Sequence, residues 1–238
     1  MTRHIAIVSS ICTDEFRLAD FDDEVQQIAS SLQRCEPTWT FSPFRACEHE
    51  FPTELDGIDG VVFSGSPSSV NEPQAWIDDL LDGIRHLHQQ RMPMAGICFG
   101  HQAIAKALGG QVDQNPGGWC LGAVPVIWSA HAPWMQPAQA SLTLYALHNE
   151  QVLVPPPGAV ITARSAACPV AGFRLGEHIM TTQHHPEMPT GFVAAVLDIL
   201  ERSPEGAALA GAIADARASL ARRVDSAVVM RWMANLLS

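Results

Sequence analysis

Short apolar, β-branched runs alternate with amphipathic helical stretches through the first half of this chain, and that alternation restricts its fold more than any other feature. Strands separated by whole helices cannot pair as tight hairpins; they pair in parallel, with the helices covering the sheet. Residues 4–10 read as the first strand, and residues 21–34 as a helix with Phe21, Val25, Ile28, Ala29 and Leu32 near one face. Residues 39–44 return as a strand. Gly60-Val61-Val62-Phe63 is an apolar strand running into the turn Ser64-Gly65-Ser66-Pro67. Residues 74–90 gather Trp76, Ile77, Leu80, Leu81, Ile84 and Leu87 on one helical face before residues 92–97 resume a strand.

The second half has consecutive strand candidates at 123–128, 142–147, 160–163, 170–174 and 178–182, which predicts an antiparallel annex. Residues 192–201 read as a helix, and Ser203-Pro204-Glu205 as the N-cap of another. The tail carries Ile213, Leu220, Val224, Val228 and Trp232 at mixed three- and four-residue steps, a face for the domain or for another subunit. The expected fold is therefore α/β: a mostly parallel open sheet flanked by helices, a small antiparallel annex and a C-terminal helical tail. Residues 1–190 form the expected domain, with 191–238 a helical extension packed on it.

With 47% hydrophobic and 16% charged residues, disorder is excluded. Asp and Glu outnumber Lys and Arg by 25 to 14, and the net charge of −11 disfavours nucleic acid and anionic membranes as partners. No apolar run reaches the ~18 residues of a membrane span, and the N-terminal segment reads as a strand rather than a secretory leader. A cytoplasmic protein is expected. Cys12, Cys35, Cys47, Cys98, Cys120 and Cys168 include no C-x-x-C pair, which argues against a zinc ribbon or a thioredoxin-like site. A reducing compartment would keep them as thiols, most of them small buried side chains.

Cys98 differs from the others. Gly96-Ile97-Cys98-Phe99-Gly100 joins a strand to a helix, the G-x-C-x-G setting of a nucleophile elbow. Glycines two positions before and after let the turn close, while the nucleophile sits at a strand's carboxyl end beside a helix N-terminus. Alone, the pattern equally suits a core cysteine in a tightly packed turn, so the reading needs a base. Gln183-His184-His185-Pro186-Glu187 follows another strand and supplies one: His185 for the imidazole and Glu187 to orient it, on a bend that Pro186 stiffens. His184 invites a metal reading, but no H-E-x-x-H or second carboxylate cluster accompanies it, and no metal is expected. Lone histidines such as His4, His86, His88 and His131 read as surface or structural residues.

Together these segments resemble the class I glutamine amidotransferases, the cysteine-triad family that includes the glutaminase part of GMP synthetase. The resemblance covers most of residues 5–187; Asn115-Pro116-Gly117-Gly118-Trp119 and Leu147-His148-Asn149-Glu150 are similar to further family segments. It implies a flavodoxin-like domain in which Cys98, His185 and Glu187 hydrolyse the glutamine side-chain amide through a γ-glutamyl thioester, without a cofactor. It also implies an oxyanion hole from the backbone N–H groups of Phe99 and of the Gly65-Ser66-Pro67 loop, at Ser66. Gly65, Gln102 and His148 are the implied substrate contacts. The chain departs from the family in reading Gly65-Ser66-Pro67 where many members have Gly-Gly-Pro, which puts a preformed oxyanion geometry in question. It also reads His148-Asn149-Glu150 for the commoner His-Gly-Asp. On composition alone the loop is a strand-end turn and Gln102 a solvated helix residue.

The chain has no G-x-x-x-x-G-K-[ST] loop, so the resemblance implies that ammonia passes to a separate synthetase or acceptor protein. Two other functions remain open. Gly65-Ser66-Pro67 also resembles the corresponding loop of plant γ-glutamyl peptidases, whose chemistry differs only in the amine that leaves. A non-catalytic binding module using the tail around Trp232 is the other.

Overall fold

Neighbouring residues of the first strand face opposite sides of the sheet, and the two sides carry different helices. The computed structural model describes residues 2–12, 18–52, 55–129 and 132–238; His131 lies outside them. The parallel half comprises β1 (His4–Ser9), α1 (Glu24–Cys35), β2 (Thr40–Arg45), β3 (Gly60–Phe63), α2 (Ala75–Gln89), β4 (Met94–Ile97) and α3 (Phe99–Ala107). There follow β5 (Gln111–Gln114), β6 (Cys120–Trp128), β7 (Ser141–His148), β8 (Glu150–Val154), β9 (Val160–Arg164), β10 (Gly172–Leu175) and β11 (Ile179–Thr182). Helices α4 (Thr190–Arg202), α5 (Gly206–Ser219) and α6 (Ser226–Leu236) complete the chain.

Among the described residues one sheet runs β2-β1-β3-β4-β11-β10-β9-β6-β7. The first five strands are parallel to their neighbours, and the sheet continues antiparallel from β10 to β7. This is the α/β architecture expected, with helices on its faces and three at the C-terminal end. Ile5, Ile7, Val62, Ala95 and Ile97 pack on the side of α1 and α6; Ala6, Val8, Val61, Phe63 and Met94 pack on the side of α2 and α3. Full burial of each large side chain contributes about 1.5–3 kcal/mol. Pro43, which has no N–H to donate, is accommodated because β2 is an edge strand.

Several expectations are corrected. Helix α1 starts at Glu24 rather than at 21, because the Asp23 carboxylate caps it by accepting from Gln26 N at 2.8 Å. Phe21 is thereby freed to meet Phe192 edge-on, with ring centroids 5.7 Å apart. Ser203 is not an N-cap. Its hydroxyl donates to the Leu200 carbonyl at 2.7 Å and closes α4, while α5 begins at Gly206. A small antiparallel annex is present as the pair β5 and β8, formed by residues outside the expected strand segments.

Cys12 and Cys47 are not thiols but a disulfide, with Cα atoms 5.4 Å apart. The parallel register that sets Ser9 opposite Arg45 delivers both residues to the same end of the sheet. Trp232 is fully buried, edge-on to Trp128, and its indole N–H donates to the Pro137 carbonyl at 3.0 Å. Its ring therefore offers no surface for a partner. No helix among the described residues is long and apolar enough to cross a membrane.

Candidate active site

Strand β4 stops at Ile97 because the next residue turns out of the sheet. Cys98 takes φ 50° and ψ −106°, a positive-φ conformation that side chains rarely adopt and that stores strain, and α3 begins immediately after it. The flanking glycines are steric necessities. A Cβ on Gly96 would lie 2.7 Å from the Gly100 carbonyl oxygen, and one on Gly100 would collide with the carbonyl oxygen of Phe63. Cys98 thus sits at the carboxyl end of a parallel strand and at a helix N-terminus, where unpaired N–H groups favour negative charge.

Strand β11 lies beside β4 with Thr182 opposite Ile97, and the Cys98 N–H donates to the Thr182 carbonyl at 2.8 Å. The chain leaving β11 therefore passes directly over the thiol. His185 is fixed there by donating its N–H to the Tyr145 carbonyl at 2.9 Å. Its Nδ1 lies 2.7 Å from Glu187 Oε1, and both side chains are buried. Burial alone would lower the imidazole pKa; the Glu187 charge, together with the charge and hydrogen bonding of Cys98, outweighs it and raises the pKa to about 10. His185 is held between a carboxylate and a thiol.

Gly65 makes that approach possible. A Cβ there would stand 2.9 Å from His185 Cε1 and 3.6 Å from Cys98 Cβ. Ser66 is fastened to the end of β1: its hydroxyl donates to the Ser10 carbonyl at 2.6 Å and accepts from Ser68 N at 3.1 Å. Phe99 is the first residue of α3, so its N–H has no intrahelical acceptor, while its ring stacks on Trp76 with centroids 5.8 Å apart.

Cys98, His185, Glu187, Gly65 and Ser66 share the wall of a cavity of about 540 Å³. Gln102 and His148 are not on that wall. Gln102 is buried behind the thiol, its amide donating to the Glu150 carbonyl at 2.9 Å and to Gln183 Oε1 at 3.2 Å. His148 Nδ1 donates to the same Glu150 carbonyl at 3.0 Å. Gln183 escaped the sequence reading: its amide donates to Cys98 Sγ at 3.5 Å and is completely buried. It was visible only as one letter of the His185 segment, because its contact depends on the β4–β11 register.

His101, His148 and His184 pack behind this network. Burial, followed by the charge of His148, pulls His101 down to about 3; burial, offset in part by the Glu150 carbonyl, takes His148 to about 4. Burial and the surrounding imidazoles hold His184 well below its ordinary range. All three are neutral at physiological pH. Among the described residues no group of three or more His, Cys, Asp or Glu side chains is arranged to hold a metal ion.

Thiol, imidazole and carboxylate thus converge at the carboxyl edge of a parallel sheet, as in α/β proteins built around a nucleophile turn. The profile described as glutamine amidotransferase class-I matches residues 18–192, and the chain belongs to that family. Gamma-glutamyl peptidase 3 of Arabidopsis thaliana is 28% identical over 204 residues, covering 82% of this chain and 81% of that protein. Gamma-glutamyl peptidase 4 of the same plant is 32% identical over 162 residues, covering 65% and 64%. The glutamine-hydrolyzing GMP synthase of Pyrobaculum aerophilum is 36% identical over 131 residues, which span 55% of this chain and 24% of that protein. The fold is shared with a glutamine amido transferase from Methylobacillus flagellatus at TM-score 0.73 and 24% identity, over 100% of this chain and 93% of that one. It is shared too with a glutamine amidotransferase from Thermotoga maritima at TM-score 0.75 and 19% identity, over 99% of both.

Proposed function

We propose that this protein hydrolyses the amide of a γ-glutamyl compound, glutamine in the simplest case, through a thioester on Cys98. The observation that carries the reading is the bracketing of His185 between Glu187 and Cys98 on a cavity wall. The Cys98 thiolate adds to the side-chain carbonyl, and the resulting oxyanion is met by the N–H groups of Phe99 and Ser66. As the C–N bond breaks, the His185 imidazolium gives its proton to the departing nitrogen. His185 then takes a proton from water, which attacks the thioester and releases glutamate. Glu187 keeps Nδ1 protonated and the ring oriented throughout. With glutamine the nitrogen leaves as ammonia, available to a separate acceptor or synthetase protein.

The test is glutamate release from glutamine. Wild type should release it, and Cys98→Ala should lose more than about 100-fold in rate; equal rates would exclude the assigned nucleophile. A second reading, cleavage of γ-glutamyl peptides, is favoured by the two relatives named gamma-glutamyl peptidases. A kcat/KM much higher for such peptides than for glutamine would select it.

A further inference from the structure

The cavity beside Cys98 must take the γ-glutamyl group of the substrate and is larger than glutamine alone needs. At about 540 Å³ it lies within the ~300–1,000 Å³ of sites that enclose drug-sized ligands. It opens on His185, the group that would protonate the leaving nitrogen, so any substituent on that nitrogen must extend along it.

Its walls are apolar and come from separated parts of the chain. Helix α4 presents Phe192, Val196 and Leu200 at four-residue spacing, one stripe of a helix face. Phe21 closes on Phe192, Met188 and Leu147 adjoin the Glu187 side, and Trp119 is held by its indole N–H donating to Glu205 Oε2 at 3.2 Å. The charge is one-sided. Among the described residues, and apart from Glu187, which pairs with His185, the lining holds the carboxylates Asp22, Asp23 and Glu24 against the guanidinium of Arg45. Asp23 is engaged as the α1 cap and Glu24 accepts from the Ser9 hydroxyl, so the three acidic side chains stand together at one end of the cavity.

From this cavity, and resting on the hydrolysis proposed above, we infer that the preferred substrates are γ-glutamyl amides of bulky apolar amines. The far end of the amine is neutral or cationic, not a carboxylate. An aryl or branched-alkyl group buries its surface against Phe21, Phe192 and Leu200. A peptide leaving group would carry its α-carboxylate toward Asp22, Asp23 and Glu24, a like-charge clash that discriminates against it. The reaction balances as hydrolysis. The C–N bond is exchanged for the Cys98 thioester, the His185 proton leaves on the amine, and water restores the thiol while releasing glutamate.

Two probes that differ only by the carboxylate separate size from charge: γ-glutamyl-phenethylamide and γ-glutamyl-phenylalanine, with glutamine as reference. The phenethylamide should exceed both in kcat/KM by at least about tenfold. Asp22→Lys, an exposed change that leaves intact the Asp22 backbone carbonyl, which accepts from the Gln27 side-chain amide, should narrow the gap between the two aromatic probes. Phe192→Ala should lower the ratio of phenethylamide to glutamine turnover. Glutamine cleaved as fast as the phenethylamide, γ-glutamyl-phenylalanine preferred, or a gap unmoved by Asp22→Lys would overturn the inference while leaving the hydrolysis standing. Failure of wild type to cleave any of the three would overturn both.

Discussion

His185 keeps a proton inside the molecule because Glu187 on one side and Cys98 on the other outweigh desolvation. Glu187→Gln should therefore bring its pKa from about 10 back toward or below its ordinary value, read by NMR titration of the ring. Glutamate release should fall about 10²–10⁴-fold in parallel; an unmoved titration would contradict the pairing. The raised pKa also has a stability consequence. Its contribution is complete below pH ~6.5 and is lost as pH rises through about 10. His101 and His148 act in the opposite sense: their folded pKa values of about 3 and about 4 give stability that is present above ~6.5 and lost as pH falls toward those values. His101→Asn should therefore flatten the acid side of a stability-versus-pH curve from chemical denaturation, and an unchanged acid slope would count against burial of a neutral imidazole. Cys98, His185 and Glu187 were legible in the sequence because their constraints are local: glycines that a tight turn demands, and an acid two residues from a histidine. Gln183 was not, since its contact with Sγ is made by pairing between strands far apart in the chain.

At the level of elements, the α3 turn owes its shape to space and not to glycine flexibility. Gly100→Ala would drive a methyl group into the Phe63 carbonyl and should lower stability by about 1–3 kcal/mol or more. Gly211, in the exposed middle of α5, has nothing within 4 Å of its added Cβ, and Gly211→Ala should raise stability by about 0.5–1 kcal/mol. Urea denaturation of the two variants checks both signs. The central parallel strands were readable as short unbroken apolar runs, and the amphipathic α2 because its apolar residues keep the helical period. Strand β5 was not: Gln111-Val112-Asp113-Gln114 has one buried residue, and only its pairing with β8 makes it a strand. Ser203 carries a helix-start signature, but its hydroxyl serves the helix before it.

On the scale of the whole molecule, the Cys12–Cys47 disulfide ties the exit of β1 to the segment after β2 across 35 positions. Replacing both residues by Ser should lower the unfolding free energy by about 2–4 kcal/mol. Denaturation with and without reductant checks this, and indistinguishable curves would contradict the cross-link. The cavity was the least legible feature in the sequence, because its wall unites residues near 21, 119, 147 and 192 that share no pattern. The central claim likewise joins distant segments, a thiol after β4 and an imidazole after β11. Its most direct test is mass spectrometry of the native protein after treatment with a γ-glutamyl electrophile, a glutamine analogue that alkylates the attacking thiol. One stoichiometric adduct on Cys98, abolished by Cys98→Ala and slowed by His185→Asn, is the predicted result; no adduct, or one carried by Cys35, Cys120 or Cys168, would contradict it.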